Sequence, residues 1–355
     1  MAHDRMRQLQ CVVVGAGALG NEVARALGLL GTGKVLVVDP DTVEASNLPR
    51  SIFFCGWNSI GQNKAQALAT AAAGLFPDTQ WASIAREIAD VGFQRLADAN
   101  LLFGCVDSDL ARLEVAYICS KMQVPVVDGG MGARNYSHGR VTYFPRDTAH
   151  ACYGCMLSPR KRRELLELWQ ATLRPCSPEN GGGAELGSTP TMAGMVGCMQ
   201  VEFGLRTYFA SRDGQPTASR SLEVQIHPVR RMEEFAIPVS SDCPFHRREG
   251  ALCPLPHEGA TFEELLNSAR ADTVVLDWPI CVKARCQDCG GEWPANVRLA
   301  VLRRRGRCPA CGSRNVLELE TIRAIGRQSA WLRRTPAALQ LPADHLYSLE
   351  KPGTL

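Results

Sequence analysis

The chain has 355 residues, of which 45% are apolar and 21% charged, and a net charge of +3. That balance is ordinary for a globular chain and carries no overall bias toward nucleic acid or an anionic membrane surface. No apolar run approaches the roughly 20 residues that span a bilayer, and MAHDRMRQLQ lacks the apolar core of a signal peptide, so a cytoplasmic chain with no membrane partner is expected.

The first eight or so residues are polar and read as a frayed end. Val12 to Val14 form a β-branched run that enters Gly15-Ala16-Gly17-Ala18-Leu19-Gly20. Val23, Ala26, Leu27 and Leu30 then recur at helical spacing up to Gly31, and Val35 to Val38 form a second apolar run ending in Asp39. Strand, glycine turn, helix and strand make a crossover unit for parallel strands. Gly15 permits the tight turn, Gly17 lets backbone N–H groups approach a phosphate, and Gly20 lets the helix sit close to the sheet. The helix N-terminus favours negative charge. Asp39 is placed to accept hydrogen bonds from a ribose. The plainer alternative is glycines used only for packing.

Pro40 to Arg50 is a polar loop, and Gly61-Gln62-Asn63-Lys64 opens a helix that runs to Gly74. Trp81 to Ile88 alternates weakly as a strand. Leu101 to Val106 is a buried strand ending at Asp107, followed by a helix from Asp109 to Met122 and a strand from Val124 to Val127. This alternation predicts an α/β fold, a Rossmann-like doubly wound sheet with ligands beyond the carboxyl ends of its strands. Gly139 to Phe144 and Leu222 to Ile237 read as an antiparallel extension of that mostly parallel sheet. Between them lie a charged helix (160–173), a glycine-rich loop (176–187) and a long small-residue helix (191–208). The Pro-rich stretch from Pro244 to Pro256 places a boundary near 254. It separates a nucleotide-binding domain (1–254) from a C-terminal module (255–355) with a zinc ribbon at 281–315.

Fifteen cysteines is a high count, and six of them fall in C-x-x-C pairs, which favours metal thiolates over disulfides. Cys152 and Cys155 together with Cys243 and His246 can close one tetrahedral Zn2+ site, with Cys253 as the alternative fourth ligand. Cys286, Cys289, Cys308 and Cys311 form a second, ribbon-type set, with 18 residues between the pairs. Cys11, Cys55, Cys105, Cys119 and Cys198 sit in apolar runs and read as core. Between Cys281 and Cys311, seven Lys/Arg against two Asp/Glu give a local +5. Nucleic-acid contact is one reading of that excess and a solvated ribbon the other. Around the glycine loop, Asp41, Asn47, Arg50 and Lys64 suit a triphosphate better than a nicotinamide. Arg50 and Lys64 can neutralise a leaving pyrophosphate, and Asp107 is the best Mg2+ candidate. The alternative is that Asp107 only caps the next helix.

The glycine loop, Val38-Asp39-Pro40-Asp41-Thr42-Val43, Ser46-Asn47-Leu48-Pro49-Arg50, Gly61-Gln62-Asn63-Lys64 and Val106-Asp107-Ser108 follow in one order. Together they resemble the ubiquitin-activating-enzyme superfamily, including the ThiF/MoeB-type adenylyltransferases of molybdopterin and thiamine synthesis. The resemblance runs from about Gln10 to Pro254. It implies that the loop and Asp39 bind ATP, that Arg50 and Lys64 act on the phosphates, and that Asp107 holds Mg2+. The implied reaction is attack by a C-terminal glycine carboxylate on the α-phosphate. Two CxxC pairs in relatives stand where Cys152/Cys155 and Cys243/His246 stand here. The resemblance also implies a crossing loop whose cysteine, here Cys176 beside Arg174, takes the acyl group as a thioester. Two departures stand out: Ser51 where the family often has Gln, and a short segment before the first strand, for which Arg5 or Arg7 is a weak substitute for a partner-reaching arginine.

The resulting expectation is an ATP- and Mg2+-dependent enzyme that activates a ubiquitin-like protein with a C-terminal Gly and hands it to a conjugating-type enzyme. Two Zn2+ sites and a homodimer complete it. The added ribbon fits a protein-docking role better than nucleic acid, and a bacterial conjugation pathway, one of antiviral defence, is the further extrapolation. The rivals are a sulfur-carrier adenylyltransferase and a non-catalytic zinc-ribbon scaffold. A dehydrogenase is disfavoured because Arg50 and Lys64 have no role in hydride transfer.

Overall fold

The computed structural model describes residues 2–54, 56–132, 137–146, 149–169, 189–228, 230–246 and 251–351, the side chains of Ala2, His3, His246 and Ala251 excepted. The chain divides into two compact units, one of Met1–Val91, Arg95–Ser158 and Gly183–Arg247, the other of Gly92–Gln94, Pro159–Gly182 and Arg248–Leu355.

The first unit opens with α1 (Ala2–Arg7), β1 (Gln10–Val14), α2 (Ala18–Leu29), β2 (Lys34–Val38), α3 (Lys64–Leu75) and β3 (Gln80–Ile84). Then come α4 (Gln94–Ala97), β4 (Leu101–Gly104), α5 (Asp109–Met122), β5 (Val126–Met131) and β6 (His138–Phe144). After α6 (Tyr153–Met156) and α7 (Pro159–Trp169), the latter part of the second unit, follow α8 (Pro190–Arg212), β7 (Arg220–Gln225) and β8 (Arg231–Ala236).

The eight strands form one sheet in the order β3-β2-β1-β4-β5-β6-β7-β8. The first five are parallel, and β6, β7 and β8 extend the sheet antiparallel. Every residue of β4 is buried, as a strand covered on both faces requires. Val23, Ala24 and Leu27 of α2 are completely buried and meet Val13, Val37 and Val196 in the core. The small residues of α8 serve close packing: a Cβ on Gly197 would stand 2.7 Å from the Glu22 Cβ of α2.

Three expectations change here. The N-terminal residues form α1 and are anchored, because Met6 is 7% exposed in the core and the Gly33 N–H bonds to the Met6 carbonyl at 3.0 Å. Arg5 pairs with Asp213 at 3.0 Å and lies over the Phe209 ring, both on or just beyond α8. It therefore works as a local clamp at the entrance of β1, away from the glycine loop at that strand's other end. Cys198 is exposed on α8, its Sγ 3.5 Å from the Arg25 guanidinium, and is not core. The stretch from Leu222 to Ile237 extends the sheet antiparallel as expected, as part of the hairpin of β7 and β8.

In the second unit, β9 (Ala251–Pro254), β10 (Thr273–Cys286), β11 (Glu292–Arg298), β12 (Val316–Gly326) and β13 (Leu346–Glu350) form a five-stranded sheet centred on the long β10. The strand β9 pairs with β13 and so enters this sheet ahead of the boundary placed at 254. Besides α7, the described residues of the unit form two further helices, α9 (Phe262–Ala269) and α10 (Leu299–Arg305). A reciprocal Thr261/Glu264 box starts α9, whose Phe262, Leu265 and Leu266 pack on Val274, Ile325 and Tyr347. Under that core, His345 Nε2 lies 2.9 Å from the Asp277 carboxylate, both side chains buried. Among the described residues, no helix is long and apolar enough to cross a membrane.

Candidate functional site

The strand order reverses around β1, which has β2 on one side and β4 on the other. The carboxyl ends of these three strands therefore open a crevice, the usual ligand position in such sheets. Gly15 follows β1 with φ of +95°, and its N–H bonds to the Val38 carbonyl at the end of β2 at 2.9 Å. A Cβ on Gly20 would come 1.9 Å from the Gly15 carbonyl oxygen, so the turn and helix can close only as glycines. Gly17 is different. A Cβ there would meet nothing within 4 Å, so no neighbouring protein atom demands a glycine at the start of α2. Open space at a helix N-terminus is where an anion can approach.

Asp39 stands at the end of β2, 6% exposed. One carboxylate oxygen accepts the Ala16 N–H at 2.6 Å, the other the Asp41 N–H at 2.8 Å. Burial pushes its carboxyl above the usual carboxylate range, opposed by those two N–H groups and by Lys64. A carboxylate has about four acceptor positions, so these two bonds leave capacity for a further donor. The loop beyond is laced to the start of α3: Val43 N–H to the Gln62 carbonyl at 2.8 Å, Lys64 N–H to the Asp41 carbonyl at 2.8 Å. Asn63 caps α3, and its amide donates to the Asp39 and Asp41 carbonyls at 2.9 and 3.0 Å. This pairing brings Lys64 Nζ to 3.4 Å from the Asp41 carboxylate.

Asn47 is buried and accepts the Glu44 N–H at 2.9 Å in a reciprocal cap. That cap starts the short 3-10 turn Ala45–Arg50, which ends in Arg50. Arg50 is half-buried. Beyond β4, Asp107 is exposed and makes no hydrogen bond or ion pair among the described residues. The capping role is taken by Ser108, whose hydroxyl accepts the Ala111 N–H at 3.2 Å, so Asp107 is left for another use.

Three supporting residues, Asn21, Gln200 and Arg112, carried little sequence signal, and a fourth, Asp128, was legible only as a carboxylate at a strand end. Asn21, completely buried in the first turn of α2, donates to the Ala16 and Gly17 carbonyls at 2.9 and 3.0 Å. Its oxygen accepts the Phe53 N–H at 3.0 Å, joining the glycine loop to the segment after Arg50. Gln200 of α8 donates to the Gly104 and Val127 carbonyls at 3.0 and 2.7 Å, holding β4 and β5 together. Arg112 and Asp128 form a buried ion pair beneath the crevice. Burial pushes the Asp128 carboxyl up, against the pull of Arg112 and Arg140. A lone polar residue inside an apolar helical pattern is the one cue that marks Asn21 and Gln200.

Two thiol clusters fit metal binding. In the second unit, the sulfurs of Cys286, Cys289, Cys308 and Cys311 lie within 4.8 Å of one another. Two of those separations, Cys286 to Cys311 and Cys289 to Cys308, are 3.6 Å. A tetrahedral Zn2+ with Zn–S of about 2.3 Å has an S···S edge of about 3.8 Å. Each pair sits on the same turn, with Gly290 and Gly312 bonding back to Cys286 and Cys308 at 3.0 and 2.9 Å and both glycines at positive φ. The Cys289 N–H aimed at Cys286 helps lower its thiol to about 7, toward the thiolate a metal takes. In the first unit, Cys152, Cys155 and Cys243 group in the same way, with Cys152 and Cys243 sulfurs 3.7 Å apart. The side chain of His246 lies outside the described residues, as does Cys176 with its whole loop. Cys253 pairs with Tyr347 in the smaller sheet and packs on that core.

A model of the ThiF family matches residues 2–245. Ubiquitin-activating enzyme E1 2 of Arabidopsis thaliana is 33% identical over 141 residues, 37% of this chain and 13% of that protein. SAMP-activating enzyme E1 of Haloferax volcanii is 27% identical over 202 residues, 56% of this chain and 66% of that protein. The chain thus spans less than two thirds of either relative. Among solved structures, E. coli MccB with ATP superposes with a TM-score of 0.50 at 16% identity, covering 69% of this chain and 68% of that one, a likeness of fold. With a family model matching more than half of its length, over the residues that carry the glycine loop and the crevice, the chain belongs to the ThiF family.

Proposed function

We propose that this chain uses ATP to adenylate the C-terminal glycine of a ubiquitin-like protein. The observation that carries the reading is the convergence, at one end of β1, β2 and β4, of an open helix N-terminus, Asp39 on the glycine loop, and the exposed Asp107. An incoming carboxylate oxygen forms a bond to the α-phosphorus, the bond to the bridging oxygen breaks, and pyrophosphate leaves with the electron pair. Gly15, Gly17 and Gly20 shape the phosphate seat and Asp39 takes the ribose. Arg50 and Lys64 face charge developing on the leaving group, with Asp41 and Asn47 fixing their loop. Asp107 would hold Mg2+, which supplies charge neutralisation at the phosphates.

The acyl-adenylate then passes to Cys176 as a thioester, releasing AMP, and to a thiol of a conjugating-type enzyme. The thiol clusters hold structural Zn2+, the ribbon serves docking, and the working form is a homodimer. Relatives named for activating ubiquitin and SAMP support this reading. Magnesium-dependent ATP–pyrophosphate exchange, stimulated by a C-terminal-glycine protein, tests it; a chain with no exchange is a scaffold. Cys176→Ala separates the branches. Loss of a thiol-labile adduct with exchange retained supports the thioester, whereas unchanged full turnover supports the sulfur-carrier reading.

A further inference from the structure

Asp107 is exposed and unpartnered among the described residues, yet the residues on both sides of it are held. Before it, Arg112 Nη2 donates to the Val106 carbonyl at 2.7 Å, and the same guanidinium is anchored on Asp128 and, at 2.9 Å, on the Gly129 carbonyl. After it, Ser108 caps α5 and the Asp109 carboxylate accepts a hydrogen bond from the Tyr153 hydroxyl at 2.6 Å. Tyr153 is 3% exposed and lies between Cys152 and Cys155. The turn that carries it is fixed from two further directions: the Ser219 hydroxyl donates to the Ala151 carbonyl at 2.6 Å, and the Ser240 N–H points at Cys155 Sγ at 3.4 Å.

We propose that Tyr153 is a positioning residue. It carries the fixed geometry of the Cys152/Cys155/Cys243 cluster to the first turn of α5 and so sets where the Asp107 carboxylate stands. The inference rests on the functional reading above, in which Asp107 holds Mg2+. A hydroxyl bonded to a carboxylate is a charge-assisted bond, and burial keeps water from replacing it. Tyrosine suits the task because a rigid, packed ring carries one polar tip. A carboxylate that must meet a cation at about 2.1 Å tolerates little displacement, so bracketing both neighbours is a direct way to pre-set it.

The test measures Mn2+ binding to the full chain in the presence of ATP, by electron paramagnetic resonance of free Mn2+, with zinc content and melting temperature recorded alongside. Tyr153→Phe and Asp109→Ala remove the bond from either end, while Asp109→Asn keeps an acceptor. Mn2+ binding is expected to weaken about three- to tenfold in the first two. The double variant is expected to be no weaker than either single one, Asp109→Asn to stay near wild type, and zinc content to hold in all. Mn2+ binding in Tyr153→Phe equal to wild type overturns the proposal. So does loss of zinc in Tyr153→Phe, which would make the residue part of the metal fold only, and so does full Mn2+ binding by Asp107→Ala. Pyrophosphate exchange reports the reaction and Mn2+ binding reports the carboxylate, so the two readings fail separately.

Discussion

Asp39 and Asp107 lie beyond the ends of β2 and β4, the two strands that flank β1, and are opposites in environment. Asp39 is buried and uses both oxygens on backbone N–H groups, so it shapes the glycine loop as well as facing the crevice. Asp107 is exposed and holds nothing in place. Asp107→Ala should therefore leave the melting temperature within a degree or so, a surface-type effect, and lower pyrophosphate exchange about 10²–10³-fold; melting curves and exchange assays check both halves. Arg112→Ala should act the other way. It strands the buried Asp128 carboxylate and should cost about 3–5 kcal/mol, read by urea unfolding. The pH dependence has a definite sign. Asp128 binds its proton more tightly folded than unfolded, so its contribution favours the fold below the unfolded carboxylate range and is lost as pH rises through the folded value. Without Arg112 that folded value climbs further, so the deficit of the variant should be smaller at about pH 5 than at about pH 8.

At the scale of elements, the β1–α2 turn separates packing glycines from a glycine kept open. Gly20→Ala would force a methyl onto the Gly15 carbonyl and should destabilise the first unit by about 1–3 kcal/mol through overpacking. Gly17→Ala has space for its methyl and should fold with nearly unchanged stability, yet lose ATP affinity because the methyl occupies the approach to α2. Denaturant melts with ATP titration by calorimetry distinguish the two; equal ATP binding by Gly17→Ala and wild type would return that glycine to a packing role. The lacing of Asp41 and Val43 to the 61–64 segment was not legible in the sequence, because it depends on pairing between loops rather than on any periodic pattern. The same holds for α1, whose polar sequence hides Met6 and a cation–π contact between Arg5 and Phe209.

At the scale of the whole molecule, the two thiol clusters belong to separate units. Cys286→Ser and Cys152→Ser should each remove one zinc per chain without disturbing the other, as metal analysis of the purified variants would show. Loss of both on either substitution would mean that one metal depends on the other. The ribbon is part of a larger unit than CxxC spacing implied, with a core of Phe262, Val274, Ile325 and Tyr347. Sequence spacing reports ligands that share a turn; it says nothing about strands such as β10 and β13, paired across long separations. By itself, then, the sequence determined the parallel sheet, the glycine turn and the cysteine pairs, because each is a local pattern of period, conformation or ligand spacing. The tertiary structure alone decided which carboxylate is spent on the backbone and which is left open. It also set which polar groups brace the strand ends and that Tyr153 reaches Asp109, since those depend on residues far apart in the chain meeting in a dry interior.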